Sequence, residues 1–239
     1  MDRSMVEEIA GKEELIELSA YLSRFVTVER LKKMEKILQW RTRYLTIALE
    51  DIFQSHNASA VLRSCEGLGI QDVHIIENTN AYKVSKDIAL GADQWLTLYR
   101  YNRKDNLNSQ RAVDFLRSEG YRLVATVPPS GNTCLLDNFS LEKGKVALFI
   151  GTELNGLSET ILKEADEFLT IPMYGFTESF NLSVSAAIIL HHLSMKLRRQ
   201  NIAWELTEEE KLRIKISWLM TSVSHGELLV KQFLKERRK

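Results

Sequence analysis

The spacing of apolar positions changes several times along the chain, and each change marks a different element. From residue 4 to residue 39 they recur at helical spacing, at Leu15, Leu18, Leu22 and Phe25 and then at Leu31, Met34, Ile37 and Leu38, which predicts an N-terminal helical extension. Trp40 to Tyr44 lead into YLTIALED, a short β-branched apolar run ending on acidic side chains, which predicts the first strand of the main domain. Runs of the same kind follow at 72–77 (DVHIIE), 95–101 (WLTLYRY), 121–127 (YRLVATV), 146–150 (VALFI) and 167–173 (EFLTIPM). Pro172 is expected at the end of the last, since proline cannot donate to a ladder. Helical pattern lies between them at 55–70, 110–118 and 158–165, and a longer helix capped by Ser183 or its neighbours runs to Leu197 with Ala187, Ile188, Leu190, His191 and Leu193 at its apolar positions. Strands alternating with helices predict an α/β domain with a mostly parallel sheet covered on both faces, whose ligands sit outside the carboxyl ends of the strands. Helical periodicity returns from Glu208 to Arg238, with a capping-box pair in Thr207 and Glu210 and a break at Gly226.

A chain of 239 residues can bury a sizeable core without staples, and we divide it into an N-terminal helical extension (1–44), the α/β domain (45–200) and a C-terminal helical extension (201–239). Cys65 and Cys134 stand far apart with no metal-ligand spacing, so they read as reduced thiols, and no metal is expected. No apolar run approaches the roughly 18 residues of a spanning helix, and the acidic N-terminus has no signal-like core. A cytoplasmic protein with no membrane attachment is expected. Formal net charge is zero, yet Arg30, Lys32, Lys33, Lys36, Arg41 and Arg43 crowd one segment, and Lys231, Lys235, Arg237, Arg238 and Lys239 crowd the C-terminus, next to Lys196, Arg198 and Arg199 in composition. Such runs are equally well read as solvated helix faces. If the two ends meet, they form one basic surface.

The candidate chemistry lies in the turns. In SHNASAVLRSCEGLGI (55–70), Asn57 is a natural N-cap, and Ala60, Ser64 and Gly67 are small enough to let the helix approach neighbouring backbone. Arg63 sits among them; spacing alone leaves a positioned guanidinium and an ordinary surface arginine with a packed stem both open, and favours the second. The strand at 146–150 ends in GTELNG, but the GxGxxG and GxxxxGK[ST] signatures are both absent, so a pyrophosphate cradle is unsupported. Gly151 and Gly156 instead offer close backbone approach to a compact ligand. Glu153, Ser179, Asn181 and Ser183 fall in turns, where functional groups concentrate. His191 and His192, adjacent on one helix, do not share a face and read as packing and solvent residues.

Three segments, HNASAVLRSCEGLGI, VALFIGTELNGLSETILKEAD and LTIPMYGFTESFNLSVSAAIIL, resemble the three ordered motifs of the SpoU/TrmH-type RNA ribose 2′-O-methyltransferases of the SPOUT superfamily, with a weaker GADQW element at 91–95; the match covers roughly residues 45–200. The resemblance implies an α/β-knot fold with a C-terminal deep trefoil knot, a homodimer with its active site at the interface, and S-adenosylmethionine as methyl donor to a ribose 2′-hydroxyl of RNA. The expected substrate is the D-loop guanosine of tRNA; a ribosomal RNA ribose, or a non-catalytic RNA-binding protein of this fold, are the alternatives. Carried over by position, it assigns catalytic roles to Asn57, Arg63, Glu153, Ser179 and Asn181, with Asn57 and Glu153 holding Arg63. It gives the donor pocket to Thr126, Val127, Gly151, Glu153, Gly156, Ile171, Met173 and Leu182. His56 matches a position implicated in RNA contact, and Arg41, Arg43, Lys196, Arg198 and Arg199 are the expected RNA-binding cations of the charged segments. Gln94 in GADQW, where similar proteins often carry a basic residue, departs from the pattern.

Overall fold

In the computed structural model, residues 11–237 are described, together with Val6 and Ile9. The start of the first helical pattern, at residue 4, and the terminal cations Arg238 and Lys239 lie outside the described residues. In chain order the elements are α1 (Lys12–Ser23), α2 (Val28–Leu38), β1 (Leu45–Glu50), α3 (Ser55–Gly67), β2 (Asp72–Ile76), α4 (Lys86–Ala89), β3 (Thr97–Tyr101), α5 (Asn108–Ser118), β4 (Arg122–Thr126), β5 (Cys134–Leu135), β6 (Val146–Ile150), α6 (Glu159–Glu164), β7 (Glu167–Thr170), α7 (Leu182–Arg199), α8 (Glu208–Ser222) and α9 (Gly226–Arg237). They form two compact units, residues 42–204 and the two chain ends, up to Arg41 and from Glu205.

The larger unit is built on a seven-stranded sheet of order β3-β2-β1-β6-β4-β7-β5. Its pairings are all parallel, with Leu45 opposite Val146 and Ile47 opposite Val73. Every residue of β1, β2 and β6 is buried, as expected for strands covered on both faces, which is why they read as continuous apolar runs. Alternation then sorts the core. Leu45, Ile47 and Leu49 join Leu148 and Ile150 under α3 and α7, contributing with Val61, Leu62, Ile189 and Leu193 to one cluster. Ala48, Ala147 and Phe149 point the other way, toward Ala112, Val113 and Leu116 of α5 and Ile161 of α6. Glu50 falls on this second face.

Two local expectations change. Asn57 does not cap α3; Gln54 occupies the cap position, and Asn57 is buried in the first turn with its side chain turned to a partner distant in sequence. The buried side of α7 is Leu182, Ala186, Ile189, Leu190, Leu193, Ser194 and Leu197, with Ile188 partly buried against the same core, whereas Ala187 and His191 lie off it, and Asn181 is the residue that caps the helix, accepting from the Ser183 N–H at 2.9 Å.

The chain ends form one helical unit. Leu15, Leu18 and Leu22 of α1 are fully buried, and α1 packs on α8 and α9 while α2 packs on α8. Thr207 and Glu210 make the capping box read from the sequence. The break at Gly226 is steric: a Cβ there would lie 2.2 Å from the Met220 carbonyl oxygen, and His225 just before it has φ 60°. No helix among the described residues is long and apolar enough to cross a membrane. Cys65 and Cys134 are not joined in a disulfide.

Candidate functional site

The carboxyl ends of β4, β6 and β7 open into a cavity of about 520 Å³. Position follows from topology, since parallel strands present their carboxyl ends and the loops that leave them on one edge of the sheet. Thr126, Val127, Gly151, Glu153, Gly156, Ile171, Met173 and Leu182, the residues expected to form a donor pocket, all line it, and so do Ser179, Glu178 and Pro128.

The loop after β6 is tightly closed. Thr152 and Gly156 exchange two backbone hydrogen bonds, 2.9 and 3.0 Å, which turns residues 152–156 into a small hairpin with Glu153, Leu154 and Asn155 at its tip. Gly156 has φ 66°, and Gly151 lies so close beneath that an added Cβ would sit 2.1 Å from the Gly156 carbonyl oxygen. Both glycines are therefore required by backbone geometry.

At the tip, three motif residues meet. Glu153 Oε1 accepts from Asn57 Nδ2 at 2.9 Å and from Asn181 Nδ2 at 2.8 Å, and Asn181 Nδ2 also reaches Asn57 Oδ1 at 3.3 Å. Asn181 Oδ1 in turn accepts from the Ser183 N–H and hydroxyl, 2.9 and 2.7 Å, and Gln54 Oε1 accepts from Asn57 at 3.1 Å. A carboxylate with two amide donors on one oxygen is an anchored acceptor, and its anchors come from the start of α3 and the start of α7.

Arg63 is not part of this cluster. It is exposed, and among the described residues it bonds to neither Asn57 nor Glu153, which hold each other instead. His56, Ala60, Arg63 and Gly67 recur at spacings of four, three and four and share one face of α3. His56, Arg63 and Gly67 are exposed along it and Ala60 is half-buried. Asn57, one residue round the helix, borders this face on the cavity side. Ser59 borders it on the other, where its hydroxyl accepts from the Ser85 N–H at 2.9 Å and lies 3.2 Å from the Tyr82 hydroxyl. Burial raises the pKa of that Tyr82 hydroxyl above the ordinary phenol range. The loop it belongs to is further fixed by Glu77, which accepts from the Tyr82 N–H at 2.7 Å and from Arg100 at 2.7 and 3.0 Å.

Of the cations expected to meet RNA, four are occupied by the protein itself. Arg41 is buried, 1% exposed, with its guanidinium 5.1 Å from the Trp218 ring centroid. Arg43 pairs with Asp72 at 2.9 Å. Lys196 donates to the Phe139 carbonyl at 2.6 Å. Arg198 donates to the Leu68 carbonyl at 2.7 Å and stacks over Trp204, and its burial lowers its pKa from the usual guanidinium value. Arg199 and His56 remain exposed. In the helical unit, Lys215 pairs with Glu35 at 2.7 Å and Arg237 with Glu17, whereas Lys32, Lys33 and Lys36 are exposed along α2. Trp218 is buried and Trp204 packs against the core of the α/β unit, whereas Trp40 is 56% exposed.

Sequence reading missed the polar residues that support this site from behind, chiefly Glu50, Asp51 and Asn78. A single acidic residue at a strand end looks like any strand terminus until its long-range partners are seen.

The profile of the SpoU rRNA Methylase family matches residues 44–191. The chain is 44% identical over 210 residues to the tRNA (guanosine(18)-2′-O)-methyltransferase of Borreliella burgdorferi, an alignment covering 87% of this chain and 92% of that one. Among solved structures, the A. aeolicus TrmH/SpoU tRNA modifying enzyme is similar with a TM-score of 0.71 at 24% identity, over 82% of this chain and 98% of that one. The SpoU methyltransferase AviRb from Streptomyces viridochromogenes, solved in complex with AdoMet, is similar with a TM-score of 0.54 at 21% identity, over 70% of this chain and 62% of that one.

Proposed function

The chain belongs to the SpoU rRNA Methylase family, and from that premise we propose that it transfers the methyl group of S-adenosylmethionine to a ribose 2′-hydroxyl of tRNA, with the D-loop guanosine as its target. The observation that carries this reading is the meeting of three separate motifs at Glu153, which lines the cavity and is held there by Asn57 and Asn181.

The cavity suits the donor. Its volume of about 520 Å³ lies within the roughly 300–1,000 Å³ of small-molecule sites. Leu157, Leu169, Leu182 and Ile189 give it apolar walls for a purine ring, and Glu153 and Glu178 give it carboxylates for a cationic ligand. When bound, S-adenosylmethionine supplies a methyl on a positively charged sulfur. On transfer the methyl would pass to the ribose 2′-oxygen as its bond to sulfur breaks, leaving neutral S-adenosylhomocysteine, and the hydroxyl proton would pass to water. Because a ribose hydroxyl is a poor nucleophile, alignment to within about 3–3.5 Å carries much of the work. Glu153, with one oxygen committed to two amides, fixes the loop that faces the cavity. Arg63 offers an exposed guanidinium on α3, the helix whose first turn holds Asn57. A guanidinium holds its proton too firmly to serve as a proton acceptor, so its part is to orient the ribose and its phosphate and to stabilise charge growing on the 2′-oxygen.

The same reading makes the protein a cytoplasmic homodimer with a C-terminal trefoil knot. The sheet order supports the threading, since β6 lies between β1 and β4 although it follows both in the chain. A groove along the outer side of α7, lined by Ala187, Ile188, His191, Met195 and Arg199, supports a second copy at that helix. Lys32, Lys33 and Lys36, with Trp40, make the N-terminal helices the RNA-binding extension, giving affinity that depends on salt and carries little sequence information.

The test is incubation with methyl-labelled S-adenosylmethionine and total tRNA or ribosomal RNA, followed by mapping of the label. Methylation of one D-loop guanosine ribose is expected. Label confined to ribosomal RNA would move the target, and cofactor binding without transfer to any RNA would make the protein a non-catalytic binder. Light scattering tests the dimer, which a monomer at micromolar concentration would contradict.

A further inference from the structure

Glu50 ends the central strand β1 with only 2% of its surface exposed. Among the described residues its hydrogen-bond partners are all uncharged. Its Oε2 accepts the Ser158 N–H at 2.7 Å, and its Oε1 accepts the Ser158 hydroxyl at 2.6 Å and the Ser109 hydroxyl. Ser158 is the N-cap of α6 and the first residue after the loop 151–157 that walls the cavity. One carboxylate therefore grips the far end of that loop, while Asn57 and Asn181 grip its tip.

The bonding continues away from the cavity. Ser109 Oγ accepts from Asn78 Nδ2 at 2.8 Å, and the Asn78 N–H donates to Asp51 Oδ1 at 2.7 Å. That same oxygen accepts the N–H groups of Thr79 at 2.7 Å and Asn80 at 3.2 Å, and the Asn80 side chain returns to the Asp51 carbonyl at 2.8 Å. Asp51 has φ 51°, a conformation that L residues seldom adopt, and it turns the carboxylate toward these amides. Residues 78–80 open the stretch that reaches Ser59, at the border of the face carrying His56 and Arg63. Two consecutive acids at the end of β1 thus tie the wall of the cavity to the loop flanking the exposed face of α3.

We propose that Glu50 is a positioning residue that sets the cavity loop 151–157 directly and, through Ser109 and Asn78, the loop 78–85, so that the donor side and the RNA side of the site are held in one register. This rests on the functional reading above for the identity of the two ligands, but the mechanical link does not. A buried carboxylate is suited to the task because it accepts several hydrogen bonds at once, and removing it strands their donors at a cost.

The test compares Glu50→Ala, Glu50→Gln and Ser109→Ala by amide hydrogen exchange and by equilibrium binding of S-adenosylmethionine, well below the melting temperature. In Glu50→Ala the amides of Thr152, Gly156, Thr79 and Asn80 should exchange faster, and cofactor binding should weaken about tenfold, the loss of one or two buried hydrogen bonds. Glu50→Gln should stay within about threefold of the unaltered protein, because its amide oxygen can take the Ser158 N–H while both hydroxyls turn to accept from its NH₂. Ser109→Ala should loosen residues 78–80 alone. Wild-type exchange at both loops in Glu50→Ala, or a lower melting temperature with unchanged cofactor affinity, overturns the proposal. Should Glu50→Ala fail to fold, Ser158→Ala and Ser109→Ala decide the matter: each should free one loop, and a pair that frees neither overturns the link. If the unaltered protein binds no S-adenosylmethionine while Glu50→Ala still frees both loops, the functional reading fails and the positioning role stands.

Discussion

Asn57 and Arg63 lie six residues apart on α3, and the fold treats their surroundings in opposite ways. The Asn57 side is closed: a buried amide, a carboxylate and a second amide satisfy one another across three segments of chain. The Arg63 side is open, a strip of exposed or small residues bordered by that cluster and by a firmly bonded loop. Groups that shape a site are satisfied within the protein, whereas groups that act on a ligand keep their bonding capacity for it. Variants in the first region should cost stability and activity together, and variants in the second should cost activity alone.

The largest effect expected is at Arg63. Arg63→Ala should lower methyl transfer to tRNA by roughly a thousandfold while shifting stability by no more than about 0.5 kcal/mol, the usual range for an exposed substitution. Arg63→Lys should recover little, since a point cation cannot reproduce the planar fork. Near-full activity in the lysine variant would show that charge alone suffices. Next comes Gly151→Ala, whose methyl would lie 2.1 Å from the Gly156 carbonyl oxygen. Overpacking of about 3 kcal/mol should open the hairpin and weaken cofactor binding about a hundredfold in a calorimetric titration.

Asn57→Ala and Asn181→Ala should each cost about 1 kcal/mol of stability in urea unfolding. Because both amides donate to the same oxygen of Glu153, the two costs should not add. Additivity within about 0.3 kcal/mol would dissolve the cluster into independent contacts. The smallest effect at neutral pH belongs to His74, buried in β2, stacked on Tyr99 and 3.0 Å from the Tyr101 hydroxyl. Burial pushes its pKa down to about 3 from 6.5. The unfolded chain therefore binds a proton that the folded one refuses between those values, so stability is whole above pH 6.5 and falls as pH drops through that window, by about 2 kcal/mol at pH 5. His74→Phe should flatten this acid slope and leave the pH dependence of methyl transfer between 6 and 8 unaltered. A changed activity profile would mean that a buried group of the framework takes part in the chemistry.

How far the sequence reveals this molecule depends on range. Strands β1, β2 and β6 are visible as apolar runs because both their faces are covered, and the capping box of α8 is visible because its partners are three residues apart. Asn57 looks like a cap for the same local reason, but its partner is 96 residues away and the nearer role is overridden. Charge clusters mislead more deeply. Arg41 and Arg43 sit in a basic run, yet one is stacked on Trp218 and the other paired with Asp72, neither of which a count of neighbouring charges can foresee. The lining of the cavity was legible through the motif resemblance, because it consists of loops leaving strand ends; Glu50 behind it was not, because nothing local distinguishes it.

The position of β6 has a consequence for synthesis. Leu45 of β1 pairs with Val146 of β6, about a hundred residues later, although Ile47 pairs with Val73 within a single helical crossover. At some 5–20 residues per second, the ribosome leaves one edge of the central strand without its neighbour for about 5–20 s. An apolar strand with an unpaired edge is a template for wrong partners. The newborn chain thus passes through an interval in which a strand buried on both faces in the finished fold still has an edge open to wrong partners, long before either ligand matters.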